Sequence, residues 1–235
     1  MALVIRGTAE NSAASGADVT VTLPGGTAAS DVVYAAYAIG DNDSVDQNMA
    51  MITAGYTELA DVFGDGTSTN PDCNLGVYRK IMGGTPDSSY QVDGLGGADA
   101  AVSSVCHVWT GADQTTPEDA TTTAATGIGA IPDSPSITTI TNNAIVISVG
   151  AGALQDTSVN APSGYGNQVD DDAVDISNVT IGMASILKVA FGAENPGAWT
   201  TWTAEADTGW AAATVALRPA TAPAFVPRMA LMGVG

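Results

Sequence analysis

The chain has little positive charge. Six lysines and arginines face 25 aspartates and glutamates over 235 residues, a formal net charge of -19. Phosphate-rich partners would be repelled, which argues against nucleic acid and against an anionic membrane surface. His107 is the single histidine, so a histidine-rich zinc site is excluded. Cys73 and Cys106 are too few for a disulfide framework, and their spacing leaves open whether they are bonded. No apolar run approaches the roughly 18 residues of a membrane-spanning helix. The start, Met-Ala-Leu-Val-Ile-Arg-Gly, lacks the basic segment, apolar core and cleavage site of a signal peptide. Synthesis in a cytoplasm is therefore expected, with any exit by another route such as lysis. No G-x-S-x-G elbow, P-loop or H-E-x-x-H stretch occurs.

What the chain does have is apolar runs of strand length. Hydrophobic residues make up 45% of it, too many for acidity alone to imply disorder. Asp18-Val-Thr-Val-Thr-Leu23 alternates as a half-buried strand does, and Pro24-Gly25-Gly26 closes it with a turn. Residues 31–39 are apolar at nearly every position, which predicts a strand covered on both faces. Residues 40–48, 64–74 and 152–173 read as loops, and 49–60 has room for a short turn of helix. Residues 110–119 read either as a domain linker or as a connection crossing between two sheets. The strand-like flanks 120–124 and 136–140 favour the crossing.

The pattern occurs twice, about 110 residues apart. Asp31–Ile39 is matched by Asn143–Val149, Gly55-Tyr56 by Gly164-Tyr165, Lys80 by Lys188, and Val105 by Val215. The prediction is an all-β chain: an antiparallel β-sandwich over 1–219, built from pseudo-repeats at about 17–112 and 120–219. Two tandem sandwiches are the alternative. Residues 220–235 form a C-terminal arm that is apolar, contains Pro223 and Pro227, and has no acidic residue. Such a tail either folds back over its own core or docks on a partner through Phe225, Val226, Met229, Leu231 and Met232.

Candidate chemistry is sparse. In a strand, Cys106 and His107 point to opposite faces, so they do not form the converging pair that a thiol nucleophile requires. His107 instead shares a face with Trp109. Asp41, Asp43 and Asp46 are closely spaced oxygen ligands of the kind calcium uses, without the glycine and terminal glutamate of an EF-hand loop. Asp170-Asp171-Asp172 is a second acidic cluster, and for both the plainer reading is a solvated loop. Trp199 and Trp202 would lie on opposite faces of a regular strand. Exposed beside a polar groove they would form a glycan-stacking platform, although core packing is the commoner use of tryptophan.

The frame Pro24-Gly-Gly-Thr…Asp31-Val-Val resembles tailed-bacteriophage and prophage β-sandwich virion proteins, as do Trp109–Asp119, Asn143-Ala-Ile-Val-Ile-Ser148 and the closing Trp210–Pro219. The resemblance spans most of 15–219 and consists of strand and turn patterns. It implies a jelly-roll-like or lectin-like sandwich in a capsid-decorating or tail protein, and it carries no catalytic residues. The expected function is a non-enzymatic virion component, a decoration or cement protein on the outer head surface. Its expected partners are the major capsid protein or other virion proteins, and further copies of itself in a homo-oligomer. The alternative is a tail-fibre or receptor-binding module recognising host glycan.

Overall fold

A computed structural model describes residues 2–43, 45–67, 71–95, 100–129, 131–153, 159–175, 177–202 and 207–221. The first half holds β1 (Val4–Ala13), β2 (Val19–Thr22), β3 (Val32–Asp41), β4 (Thr57–Gly64), β5 (Asp72–Ile81), β6 (Ser89–Val92) and β7 (Ala101–Thr110). The second half holds β8 (Glu118–Ile128), β9 (Asp133–Ser134), β10 (Ile137–Thr139), β11 (Ala144–Gly152) and β12 (Gly166–Ala173). It closes with β13 (Val179–Lys188), β14 (Gly192–Glu194), β15 (Gly197–Ala198) and β16 (Gly209–Leu217). The described residues contain no helix, so the turn expected within 49–60 is absent.

Two five-stranded antiparallel sheets stack face to face. Sheet one has the order β1-β7-β3-β5-β4, and sheet two has β12-β13-β11-β16-β8. Read from the first strand of each half and counting only the five strands of each large sheet, both orders are first, fifth, second, fourth, third. The expected jelly roll would pass strands back and forth between sheets, whereas here each large sheet comes from one half of the chain. The 111–117 connection makes the crossing, leaving β7 in sheet one and entering β8 at the edge of sheet two.

Side-chain alternation builds the layers. In β3 every residue is buried. Tyr34, Ala36 and Ala38 face the core between the sheets, where they join Leu75, Val77 and Val105 from their own sheet. Ile145, Ile147, Ile181, Met183 and Val215 meet them from the other sheet. The alternate residues Val33, Ala35, Tyr37 and Ile39 face outward. They are covered by Val19 and Val21 of β2 and by Tyr90 and Val92 of β6, which form a two-stranded ribbon. On sheet two the outer covering comes from β9–β15 and β10–β14 with Trp199, Trp202 and Ile137. Burial on both faces explains why the central strands read as continuous apolar runs.

The halves match in detail. Lys80 lies opposite Val33 and Lys188 opposite Ala144; Val105 lies opposite Ala36 and Val215 opposite Ile147. Each lysine pairs with a carboxylate just downstream, Lys80 with Asp87 at 2.5 Å and Lys188 with Glu194 at 2.9 Å. Gly55 and Gly164 both take left-handed backbone, at φ 87° and 86°, and each delivers a tyrosine beneath the outer covering. Ladder irregularities fall at matching places in β4 and β12.

Two expectations are corrected. Residues 166–173 form β12 and not a loop. Asp170 and Asp172 sit in a strand whose partner is β13, and Asp171 turns toward Ser103 and Ser12 of sheet one. The regular strand expected to carry Trp199 and Trp202 is broken at Thr201, whose φ of 56° ends the alternation.

Candidate functional site

The acidic cluster forms at one end of sheet one, with a different membership from that expected. The register sets Asp41, the last residue of β3, directly opposite Asp72, the first of β5. Asp43 folds back beside them, and ligand oxygens of the three lie within 4.8 Å of one another. Asp46 is exposed and lies outside the cluster. Strand pairing, which local spacing does not reveal, puts Asp72 in its place. Backbone groups partly satisfy the cluster: Gly66 N–H donates to Asp72 Oδ1 at 2.6 Å and Val45 N–H to Asp43 Oδ1 at 2.9 Å. Gln47 N–H, bonded to Asn74 Oδ1 at 2.9 Å, anchors the 45–47 stretch alongside. Burial, and then the neighbouring Asp43 charge, push Asp41 up to about 7. Three carboxylates this close favour either a bound proton or a hard cation with oxygen ligands such as calcium.

The candidate nucleophiles lie in the core. Cys73 faces sheet two and Cys106 faces the ribbon, so they stand on opposite faces of sheet one and both are free thiols. Burial raises both thiols, Cys106 to about 12, which keeps them protonated and unreactive. His107 is fully buried between the sheets, edge-on to Trp109 at 6.1 Å. Neither ring nitrogen has a hydrogen-bond partner among the described residues. Burial lowers its pKa to about 4, with backbone groups of Asn167 and Met183 acting in the opposite direction. His107 is therefore a neutral core residue at physiological pH.

The tryptophan platform is also corrected. Trp199 is 0% exposed and Trp202 5%. The turn at Thr201 brings the two rings together, 6.1 Å apart and nearly perpendicular. Trp199 lies over the cross-strand pair Gly150 and Gly182; a Cβ on either would approach the indole to 2.7 or 2.5 Å. The glycines make room for the ring, and neither tryptophan is available to stack a sugar.

Sequence reasoning missed the open end of the sandwich. Beyond Ile181 and Met183, the core-facing row of β13 runs past the cover of sheet one. Leu187 is 51% exposed, and in the bend after β13 Val189 and Phe191 are 65% exposed each. A groove of about 530 Å³ lies there, lined by Ala2, Leu3, Asn143, Leu187, Pro219 and Ala220. The C-terminal residues are tied to its wall: Pro219 bridges Ala112, and Ala220 N–H donates to Gly111 O at 2.8 Å. The arm residues Phe225, Val226, Met229, Leu231 and Met232 lie outside the described residues. The signal in the sequence was the apolar trio Leu187, Val189 and Phe191 around Lys188.

No family model, curated protein or solved structure matches the chain.

Proposed function

We propose that the protein is a non-enzymatic structural component of a virion, a decoration or cement protein on the outer head surface of a tailed phage. The observation that supports this reading is where the distinctive side chains lie. Cys73, Cys106, His107, Trp199 and Trp202 are all inside the fold. Among the described residues, the chain presents to a partner an acidic exterior and an open apolar end at Leu187. A net charge of -19 suits the outside of a particle better than a DNA-facing interior. The virion assignment itself rests on the resemblance of the strand and turn patterns.

The arm supplies attachment to the major capsid protein or to neighbouring copies. At about 25 cal/mol per Å² of apolar area, burying a few of Phe225, Val226, Met229, Leu231 and Met232 contributes several kcal/mol. Display of many copies on a lattice multiplies that attachment. The glycan-recognition alternative loses its platform, because both tryptophans are covered. The test is incorporation into particles of the full chain and of a chain ending at Thr221. Full-length protein should co-purify with heads, and the shortened chain should stay soluble and folded but absent from them. Equal incorporation of both would overturn the arm's role, and absence of both would overturn the virion reading.

A further inference from the structure

We propose that the groove at the open end is the receptor for the C-terminal segment 222–235 of a second copy, so that copies join by arm exchange. This rests on the reading of that segment as a docking arm. The groove is an interruption of the inter-sheet core: Leu3 packs against that core from one sheet, and Leu187 continues its facing row from the other. The apolar surface extends beyond the groove. Asn143, which lines it, donates its N–H to Val189 O at 3.1 Å. Asn142 Oδ1 holds Phe191 N–H at 3.0 Å. The backbone that carries the exposed Val189 and Phe191 is thus tied to Asn142 and Asn143, next to the groove.

The occupant is argued from composition, length and exit point. Fourteen residues follow Thr221, and none is acidic in a chain carrying 25 acidic residues. Extended, they reach about 45 Å, far beyond a groove that begins at Pro219. Pro223 and Pro227 disfavour helix and bias the preceding residues toward extended backbone. The tether of Pro219 and Ala220 to Ala112 and Gly111 starts the segment on the groove's own wall, and its length is sufficient to span to the groove of a neighbouring copy. Arg228 is the segment's single charge. Without it the remainder of the chain stands at -20, so the segment is attracted to a neighbouring body while the bodies repel each other. Added salt screens that repulsion and leaves apolar contact in place.

The test uses the isolated full-length protein in sedimentation velocity over a concentration series, at about 0.15 M and at higher salt. Association should appear with concentration and strengthen with salt. A chain ending at Thr221 and the full chain carrying Leu187→Asp should each associate about 100-fold more weakly, the effect of losing a few buried apolar side chains. Both should keep the thermal unfolding of the parent, since Leu187 is half exposed. The decisive arm mixes them. One variant retains an intact groove and the other an intact segment, so together they should form a one-to-one pair that neither forms alone. A parent that stays monomeric throughout, or a mixture that forms no pair, overturns the proposal. A shortened chain that is monomeric like the parent but melts at lower temperature assigns the groove to the chain's own segment and likewise overturns it. No particle enters the experiment, so its failure is distinct from failure of the virion reading.

Discussion

Acid should destabilise this fold through His107, by an amount the structure sets. The imidazole is fully buried between the two sheets, and its pKa falls from 6.5 to about 4. Above pH 6.5 it is neutral whether the chain is folded or not, and it contributes no pH dependence. Between pH 6.5 and about 4 the unfolded chain takes up the proton and the folded chain does not. Stability then falls with falling pH by about 1.4 kcal/mol per pH unit, about 3 kcal/mol in all, and levels off below. Asp41 acts in the opposite sense. Its folded pKa is about 7 against an ordinary 3.8, so the folded state takes up that proton first and gains stability as pH falls from 7. The raw pH profile therefore mixes both groups. His107→Leu, of similar volume and without ring nitrogens, isolates the histidine by difference. The sequence pI is about 4.1, so measurements stop at pH 5, short of precipitation. Urea unfolding followed by tryptophan fluorescence should show the variant gaining about 2 kcal/mol on the parent between pH 6.5 and 5. A difference that is the same at both pH values would refute a buried neutral histidine.

Other perturbations test separate parts of the structure. Gly182→Ala places a Cβ 2.5 Å from the Trp199 ring and should cost about 1–3 kcal/mol in denaturant unfolding, with a red shift in tryptophan emission; an unchanged midpoint would refute the packing described. Asp41→Asn, with EDTA present, should raise the melting temperature above pH 7 and lose that advantage toward pH 5, because it removes a carboxylate whose charge is held unfavourably. Asp119 is fully buried in β8, accepts hydrogen bonds from Ile140 N–H, Thr141 N–H and Thr141 Oγ1–H, and pairs with Arg218 at 3.2 Å. Burial alone would raise its pKa, but these partners outweigh burial and lower it. Its stabilisation is present above the ordinary carboxylate range and is lost as pH falls through the depressed value. Asp119→Ala should cost about 3 kcal/mol or more at pH 7, read from the same unfolding curves.

Much of the architecture was legible because side-chain alternation maps directly onto layers. Val19 and Val21 point inward and Thr20 and Thr22 outward, as the Val-Thr-Val-Thr pattern indicates. Residues 31–39 lack alternation because β3 has a sheet on one face and a ribbon on the other. Three features were hidden for different physical reasons. Asp170–Asp172 read as a loop because aspartate is depleted in strands, yet β12 is an edge strand whose ladder with β13 is irregular and tolerates them. Asp72 joined the acidic cluster through pairing with a residue 31 positions earlier in the chain, which no local spacing encodes. Trp199 and Trp202 share a cluster because a single left-handed residue, Thr201, reverses the expected alternation, and threonine gives no warning of that conformation.

Labelled electron microscopy of purified particles, with an antibody raised against the folded chain, addresses the proposed role most directly. The prediction is regular label over the head surface, lost from particles assembled with a chain ending at Thr221. Label confined to the tail tip or fibres, or particles that carry none of the protein, would contradict it.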